Sequence, residues 1–349
     1  MVYRLAMIGF GTVGQGLVAL LLDKAAELRA AYGFEARIVA VSDPGKGALY
    51  HPDGLDGARL LELARRGALA GYPEAPGLVR GWDSLTTIRR SQADAVVEAT
   101  WTNLETGQPA IEHIQAAFEA GRHVVTSNKG PVALAYPRLR ALAQARGCYW
   151  GFEGTVMSGT PALRLATHAL AGCAIREVLG ILNGTTNFIL TQMEEGASYA
   201  AALAEAQRLG YAEADPSADV EGTDALGKLL ILAAVVMGTP ITPHQVARQG
   251  ITGLTPQDVQ RARAGGQRWK LIARLRREGD RLAASVGPQL IPDSHPLAGV
   301  SGATNAITYL TDLLGEVTLV GPGAGRRETG FALLSDLLDL HRAGVGSRE

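Results

Sequence analysis

Cysteine is nearly absent from this sequence of 349 residues, which contains only Cys148 and Cys173. Two cysteines cannot form the disulfide framework of a small secreted domain, and no group of cysteines and histidines has the spacing of a zinc site. Proteins of reducing compartments commonly contain few cysteines, so we expect a cytoplasmic protein. The amino terminus also lacks the layout of a secretory signal peptide.

Long apolar runs and an excess of charge of one sign are missing too. The most apolar stretch, residues 229–237, is too short to cross a bilayer and begins beside Lys228. The 33 lysines and arginines nearly balance the 34 aspartates and glutamates, which gives a formal net charge of −1. A dedicated nucleic-acid-binding protein would normally present a basic surplus on one face. We therefore expect neither a membrane nor a nucleic acid as a partner.

The chain does contain enough apolar residues for two folded domains. Hydrophobic residues make up 47% and charged residues 19% of the sequence, a composition that excludes global disorder, and the length suggests two domains. In the first 150 residues strand-like and helix-like segments alternate, as a parallel sheet with crossover helices requires. We predict strands at residues 3–8, 36–41, 95–99 and 123–126, and helices at residues 13–32, 60–66, 109–120 and 133–146.

The pattern changes near residue 150, where a second α/β domain with a mixed sheet is expected. We place the dinucleotide-binding domain at residues 1–150 and the second domain at residues 151–320. The glycine-rich run at residues 321–325 makes a natural crossing loop, so the last helix, within residues 321–349, is expected to return to the first domain. In the second domain we predict strands at residues 178–182, 269–276, 282–287, 306–310 and 316–320, and helices at residues 185–194, 199–209 and 224–237.

A G-x-G-x-x-G motif lies between the first predicted strand and the first predicted helix. Its first glycine allows a tight turn, its second lets the backbone approach a pyrophosphate, and its third permits close packing of helix and strand. The following helix N-terminus offers N–H groups and a positive dipole end to phosphates. The alternative is a glycine-rich turn that binds no ligand. We predict a Rossmann-type site for NAD or NADP that uses Gly9, Phe10, Gly11, Thr12, Val13 and Gly14.

Asp43 follows the second predicted strand, where a carboxylate can bind the ribose hydroxyls of the adenosine. Such a carboxylate would repel a 2′-phosphate, which favours NAD, although Lys46 could accept NADP. The alternative is that Asp43 only forms the turn before Pro44. Thr100 and Thr102 lie just beyond the next strand, at the edge where an open α/β sheet binds its ligand.

The segment at residues 206–228 is the richest in chemistry, because five carboxylates precede Lys228 at the start of an apolar helix. Asp224 and Lys228 are four residues apart and share one helix face. Carboxylates can hold the ammonium of an amino acid while a lysine handles a hydroxyl proton. The alternative is a solvated acidic loop with a simple ion pair. Lys129, in a predicted turn, could meet a carbonyl near the nicotinamide or could be a solvated turn lysine.

The same segment resembles the signature of homoserine dehydrogenase. It matches the family at Ala206, Gly210, Asp215, Pro216, Asp219, Gly222, Asp224 and Lys228. Four further segments resemble the same family: residues 9–14, 128–129, 180–190 and 321–325. Residues 153–161 are similar but match the family pattern less closely. There the family often has glycine at one or both of Met157 and Ser158.

The resemblance implies an NAD(P)-dependent interconversion of L-homoserine and L-aspartate 4-semialdehyde, in the biosynthesis of threonine, methionine and isoleucine. It implies that Lys228 supplies the proton with Asp224 beside it, and that Lys129 shares this work at the cofactor. It also implies an α/β second domain that binds the substrate and forms a homodimer through its sheet. Substrate binding is implied for Glu213, Asp219, Asp224, Gly184 and Thr185. Further cofactor contacts are implied for Thr100, Lys129, Gly323 and Gly325. A Na⁺ or K⁺ ion is implied on the carbonyls of Val156, Ser158 and Thr160 and on the carboxylate of Glu153.

Two other functions remain open on the residues alone. A phosphorylating semialdehyde dehydrogenase needs a cysteine nucleophile with a basic partner, and neither Cys148 nor Cys173 lies beside a motif. A regulator that senses NAD without turning it over would have no use for the carboxylates around Lys228. Few residues follow Gly325, too few for a further regulatory domain. We therefore expect a short monofunctional enzyme that threonine inhibits little.

Overall fold

The structure of this chain, a computed structural model, describes residues 2–344. These residues form two compact units. Unit 1 contains residues 2–159 and 325–344, and unit 2 contains residues 160–324. The first boundary lies beyond residue 150, because residues 150–151 form a strand of the sheet of unit 1.

Thirteen strands lie within the described residues, seven in unit 1 and six in unit 2. The strands of unit 1 are β1 (Val2–Ile8), β2 (Glu35–Asp43), β3 (Gly47–Tyr50), β4 (Val79–Arg80), β5 (Ala95–Glu98), β6 (His123–Thr126) and β7 (Trp150–Gly151). The strands of unit 2 are β8 (Ile175–Ile181), β9 (Ala247–Arg248), β10 (Gln267–Glu278), β11 (Arg281–Pro292), β12 (Thr304–Thr311) and β13 (Gly315–Pro322).

Thirteen α-helices lie within residues 2–344. They are α1 (Thr12–Asp23), α2 (Ala25–Tyr32), α3 (Gly57–Arg65), α4 (Ser84–Arg90), α5 (Ala110–Glu119), α6 (Lys129–Ala145), α7 (Ala162–Arg164), α8 (Gly184–Glu194), α9 (Tyr199–Arg208), α10 (Ser217–Val220), α11 (Thr223–Val235), α12 (Pro256–Ala264) and α13 (Arg326–Arg342). Three 3₁₀ turns at Leu69–Gly71, Glu153–Thr155 and Pro243–Gln245, and a π-helical turn at Leu165–Ala169, complete the regular structure.

Unit 1 is a sheet of strand order β4-β3-β2-β1-β5-β6-β7 with helices on both faces. Five adjacent strands, β2, β1, β5, β6 and β7, are parallel, and β3 and β4 add an antiparallel edge. On one face, Leu5 and Met7 of β1 pack with Leu17 of α1 and Leu333 of α13. On the other face, α4, α5 and α6 cover residues such as Ile8. The predicted Rossmann-type fold is confirmed.

Two helices of unit 1 differ from their predicted bounds. The helix predicted at residues 13–32 breaks at Lys24, whose φ of −107° and ψ of 11° lie outside the helical region. Helix α6 begins at Lys129, ahead of its predicted start at residue 133, because the Asn128 side chain accepts the N–H of Gly130 and caps the helix. Lys129 is therefore a helical residue rather than part of a turn.

Unit 2 is a sheet of strand order β13-β12-β8-β10-β11-β9. Its neighbours are antiparallel except for β9, which pairs parallel with β11, so the predicted mixed sheet is confirmed. Ile181, Ile272 and Ala306 form the centre of its core, and helices α8, α11 and α12 contact β10. Among the described residues, no helix has both the length and the apolar character that crossing a membrane requires.

Candidate functional site

The glycine loop of unit 1 has the geometry that a dinucleotide phosphate requires. Gly9 has a φ of +87°, and a Cβ there would lie 2.5 Å from the Ala99 carbonyl oxygen, so the turn accepts only glycine. A Cβ on Gly14 would lie 2.9 Å from the Gly9 oxygen, whereas a Cβ on Gly11 would meet no atom within 4 Å. Within the described chain, no side chain caps the α1 N-terminus at Gly11. The N–H groups of Gly9 and Phe10 donate to Ser42 and Asp43, so a pyrophosphate would bind the N–H groups at the start of α1, from Gly11 onward.

Asp43 ties the end of β2 to this glycine loop. Its Oδ2 accepts the N–H of Phe10 at 2.7 Å, and its Oδ1 accepts the N–H groups of Gly45 and Lys46 at 3.0 Å each. The Lys46 ammonium lies 3.7 Å from Oδ1. Asp43 thus closes the turn at residues 44–46, and any ribose bound here would share the carboxylate with the N–H groups of Phe10, Gly45 and Lys46.

A buried carboxylate that sequence reasoning missed lies at the carboxyl end of β5. Glu98 is fully buried and accepts hydrogen bonds from the Thr100 N–H at 3.3 Å and the Thr126 hydroxyl at 3.2 Å. The imidazole Nδ1 of His113 lies 3.5 Å from the same carboxylate. A single charged residue at the end of an apolar strand has no periodic pattern, so the sequence offers no signal that distinguishes it.

Asn128 joins the ends of β5 and β6 at this edge of the sheet. Its Nδ2 donates to the carbonyls of Thr100 at 3.3 Å and Trp101 at 3.1 Å, while its Oδ1 accepts the Gly130 N–H at 3.1 Å. A single buried amide therefore ties Thr100 to the start of α6, whose first residue is Lys129. Lys129, half-buried, is the first residue of α6.

Lys228 in unit 2 is a buried lysine with two fixed acceptors. Its side chain is 8% exposed, and its Nζ donates to Asp224 Oδ2 at 2.8 Å and to the Leu182 carbonyl at 2.5 Å. The four-residue spacing on α11 brings the Asp224 carboxylate to the ammonium, as the sequence predicts. The ion pair is not the solvated surface pair of the alternative interpretation, because burial removes most of the competing water.

Asn183 connects this pair to a second carboxylate. Its Nδ2 donates to Asp219 Oδ1 at 2.6 Å and to Asp224 Oδ2 at 3.2 Å, and its Oδ1 accepts the N–H of Thr186 and caps α8. Burial is the main cause of a raised pKa of Asp219, and the charge of Asp224 raises this pKa further. The hydrogen bonds from Asn183 and Thr185 lower it by less. We call Lys228, Asp224, Asp219 and Asn183 the lysine cluster. Sequence reasoning did not select Asn183 as a site residue.

Gly184 and Thr185 lie beside the lysine cluster, at the start of α8. A Cβ on Gly184 would lie 2.5 Å from the Ala303 carbonyl oxygen, so this turn also requires glycine. The Thr185 hydroxyl donates to the Tyr211 carbonyl at 2.6 Å. Glu213 is exposed in the loop after α9, and within residues 2–344 no hydrogen bond joins its side chain to the lysine cluster. The structure therefore brings together all the predicted substrate residues except Glu213.

Two glycines of the late loop lie in different units. In unit 2, a Cβ on Gly323 would lie 2.1 Å from Nδ2 of Asn305. In unit 1, Gly325 precedes α13 with a φ of +134°, and a Cβ there would lie 2.0 Å from Oε2 of Glu328. At both positions a side chain would displace a neighbouring polar side chain, and the positive φ of Gly325 disfavours any other residue there.

The segment at residues 153–160 has an unusual backbone. Met157 and Ser158 both adopt the left-handed region, with φ of +57° and +53°, a conformation that glycine adopts more readily. The Ser158 hydroxyl lies 2.7 Å from that of Thr329, and the Glu153 N–H donates to Asp336. The described residues contain no group of three acidic, histidine or cysteine side chains that could hold a metal ion, so an ion here would depend on carbonyl oxygens. The four predicted ligands are all buried: Glu153, Val156, Ser158 and Thr160.

Comparison with known proteins identifies two matching family models. The model for "Homoserine dehydrogenase, NAD binding domain" matches residues 9–153, and the model for "Homoserine dehydrogenase" matches residues 161–338. The NAD(+)-dependent homoserine dehydrogenase of Pseudomonas canavaninivorans is 45% identical over 99% of this chain and 98% of its own.

Solved structures agree with the sequence comparison. The crystal structure of a homoserine dehydrogenase from Thiobacillus denitrificans has 35% identity and a TM-score of 0.83, over 100% of this chain and 76% of that chain. A hyperthermophilic archaeal homoserine dehydrogenase in complex with NADPH has 29% identity and a TM-score of 0.81, over 97% of both chains. The chain therefore belongs to the homoserine dehydrogenase family, which comprises NAD(P)-dependent oxidoreductases that act on a CH–OH group.

Proposed function

We propose that Lys228 moves the hydroxyl proton in the interconversion of L-homoserine and L-aspartate 4-semialdehyde. One feature of unit 2 carries this proposal: an almost fully buried ammonium is held by Asp224 Oδ2 at 2.8 Å and by the Leu182 carbonyl at 2.5 Å. Two fixed acceptors orient the amine, and burial keeps water from replacing it as the proton carrier. General acid–base catalysis requires such a positioned group.

The chain's residues divide the chemical work as follows. A bound NAD(P) supplies the hydride donor for reduction and the hydride acceptor for oxidation. In the reductive direction Lys228 gives a proton to the alkoxide oxygen that hydride addition creates, and in the oxidative direction it takes the hydroxyl proton. Asp224 holds the Lys228 amine in place at 2.8 Å, and Lys129 shares the proton transfer from the start of α6.

The carboxylates beside Lys228 are proposed to hold the amino-acid part of the substrate. Asp219 and Asp224 supply acceptor oxygens for an α-ammonium, and Glu213 adds a third when the exposed loop after α9 approaches. Gly184 lets the backbone at the start of α8 come close, and Thr185 orders the loop through the Tyr211 carbonyl. Burial raises the pKa of Asp219 despite the nearby charge of Lys228, so a bound ammonium would offset part of the cost of keeping this carboxylate ionised.

We further propose that the enzyme uses NAD at least as well as NADP, bound at Gly9–Gly14, Thr100, Gly323 and Gly325. Asp43 supports this preference, because its carboxylate lies beside the glycine loop and would repel a 2′-phosphate. Lys46, 3.7 Å from that carboxylate, weakens the repulsion. The values of kcat/KM for the two cofactors test the proposal. A tenfold preference for NADP, worth about 1.4 kcal/mol, would mean that Asp43 does not bind the ribose.

The reaction itself is tested by absorbance at 340 nm with L-homoserine and NAD at alkaline pH. We expect NADH to accumulate with wild-type protein and not with Lys228→Met. If neither NAD nor NADP supports turnover, the NAD-sensing regulator becomes the better interpretation.

Residues 153–160 are proposed to bind Na⁺ or K⁺ through the carbonyls of Val156, Ser158 and Thr160 and the Glu153 carboxylate. The support is chemical, because one buried carboxylate and several carbonyl oxygens suit a singly charged, hard cation. We expect kcat/KM for homoserine to rise with NaCl or KCl but not with choline chloride at equal ionic strength. Equal rates in all three salts would contradict a specific ion.

A homodimer in the cytoplasm is the proposed working form. Exposed apolar residues on the β12–β13 hairpin of unit 2 support self-association, with Leu314 62% and Val320 53% exposed. The low cysteine count supports the cytoplasm, because proteins of reducing compartments commonly contain few cysteines.

A further inference from the structure

Asn305 in β12 is a buried residue whose side chain has no partner. It is 0% exposed, and within residues 2–344 neither its Nδ2 nor its Oδ1 has a hydrogen-bond partner. By contrast, the side chains of three other buried asparagines all form hydrogen bonds. Asn128 and Asn183 cap helices, and the Nδ2 of Asn187 donates to the carbonyls of Val300, Gly302 and Thr304.

An unpartnered amide in a protein interior lowers stability. Both its donor and its acceptor lose hydrogen bonds to water on folding and gain none in return. A leucine of similar shape at position 305 would avoid this loss altogether. The presence of asparagine therefore points to a ligand that completes its hydrogen bonds.

The position of this amide in unit 2 indicates which ligand. The Oδ1 of Asn305 lies 3.3 Å from the place where a Gly184 Cβ would be, and Nδ2 lies 2.1 Å from that of Gly323. Residues 182–184 bond to Lys228 through the Leu182 carbonyl and to the two carboxylates through Asn183. They lie beside Asn305 at Gly184. The amide lies at the end of the same turn that holds the lysine cluster.

The lysine cluster leaves one group of an amino-acid substrate without a partner. Asp219 and Asp224 supply acceptors for an ammonium, and Lys228 is directed to the hydroxyl, so the α-carboxylate still needs donors. A carboxamide N–H donates well to a carboxylate, because the charge of the acceptor strengthens the bond. Gly323, without a side chain, covers the Nδ2 of Asn305 in this structure, so the loop at residues 321–325 must shift for a ligand to reach the amide.

We propose that Asn305 is a substrate-binding residue whose Nδ2 donates to the α-carboxylate of the amino-acid substrate. This assignment rests on the proposed function of the lysine cluster. It predicts a combination that a structural asparagine cannot produce: removal of the amide weakens substrate binding and leaves the free protein equally or more stable.

The test compares Asn305→Leu and Asn305→Asp with Asn187→Leu and the wild type. For Asn305→Leu we expect a melting temperature equal to or above that of the wild type, a KM for homoserine at least tenfold higher, and a KM for NAD within twofold. Asn305→Asp should raise the homoserine KM further, because its carboxylate repels that of the substrate. Asn187→Leu removes an amide that is fully bonded and should lower the melting temperature.

A second readout does not depend on turnover. The rise in melting temperature that saturating homoserine gives to the wild type should be smaller for Asn305→Leu by at least half. A fall in the melting temperature of Asn305→Leu as large as that of Asn187→Leu, or failure to fold, would mean a structural role and overturn the proposal. An unchanged homoserine KM, or a raised NAD KM alone, would overturn it as well. Failure of the wild type to turn over homoserine would instead reject the proposed function.

Discussion

Lys228 shows how one residue can be made ready for proton transfer by its surroundings. Its ammonium has a fixed carboxylate on one side and a fixed carbonyl on another, and little water reaches it. Replacement by methionine keeps the apolar stem and removes the proton. We expect Lys228→Met to lower kcat by about 10²- to 10⁴-fold, the usual range for a general acid–base group, with unchanged NAD affinity in a fluorescence titration.

The matched control for this variant is Lys270→Met. Lys270 is equally buried in unit 2, but its ammonium donates to Asn187 and to the Val300 carbonyl, away from the lysine cluster. Its loss should lower the melting temperature and leave kcat within a few-fold of the wild type. Lys228→Arg should also be inactive, because a guanidinium does not release its proton in this pH range. A near-normal kcat in Lys228→Met would transfer the proton role to Lys129.

Asp219 allows a prediction on pH at the same scale. Burial raises the pKa of Asp219 above its ordinary value, so the folded chain binds this proton more tightly than the unfolded chain. The contribution of Asp219 to stability therefore becomes unfavourable as the pH rises through that raised pKa. We expect Asp219→Asn to raise the melting temperature at pH 7.5 by roughly 1–3 °C and to have less effect near pH 4, while the homoserine KM rises.

Asp215 is the control for Asp219, because its pKa is shifted in the opposite direction. The N–H of Ser217 donates to its carboxylate and lowers the pKa of Asp215, so ionised Asp215 stabilises the fold above its ordinary pKa. Asp215→Asn should therefore not raise the melting temperature at pH 7.5. Thermal unfolding of both variants across this pH range measures the difference. A lower melting temperature for Asp219→Asn at neutral pH would contradict the stated effect of burial.

At the scale of elements, alanine substitutions at two glycines of the glycine loop and α1 should have different effects, one on NAD binding and the other on stability. We expect Gly11→Ala to raise the NAD KM about tenfold or more with little change in stability, because its Cβ would meet no protein atom within 4 Å. Gly14→Ala should lower the free energy of unfolding by roughly 1–3 kcal/mol, the usual effect of overpacking, because its Cβ would lie 2.9 Å from the Gly9 oxygen. Urea unfolding and NAD kinetics measure both. Equal NAD KM values in Gly11→Ala and the wild type would place the pyrophosphate elsewhere.

Elements with a strong local signal could be predicted from the sequence, and those that depend on neighbours could not. Strand β6 has its predicted bounds, because its apolar run ends sharply at the polar residues 127–129. Residues 13–32 contain no proline or strong breaker at Lys24, so the change of direction there has no local signal. The short edge strands β3, β4, β7 and β9 exist only because a neighbouring strand supplies their hydrogen bonds.

The functional residues follow the same rule. Lys228 and Asp224 could be paired in advance, because helical spacing fixes their contact. Glu98, Asn183 and Asn305 could not be selected, because a lone polar residue in an apolar strand or at a turn reveals neither its burial nor its partners. Such residues become visible only when the strands and turns that surround them have been placed.

At the scale of the whole molecule, the exposed edge of the sheet of unit 2 predicts how two copies associate. We expect Val320→Asp on β13 to convert the proposed dimer to a monomer in analytical ultracentrifugation, because a charge would be buried in an apolar contact. Leu22→Asp is the control: Leu22 is 47% exposed on α1 of unit 1 and should leave the assembly unchanged. A monomeric wild type, or a Val320→Asp variant that remains dimeric, would exclude β13 from the interface.

Helix α13 makes unit 1 discontinuous in sequence, and this has a consequence for synthesis on the ribosome. Leu333 and Leu337 are fully buried against the same face of the sheet as Leu5 and Met7, and the backbones of α1 and α13 touch at Gly16 and Gly330. The first 159 residues leave the exit tunnel long before these leucines do. During translation of all of unit 2, the part of this sheet face that α13 covers therefore remains exposed, although α1 and α3 already pack on the rest. Unit 1 can therefore complete its core only after all of unit 2 has been synthesised.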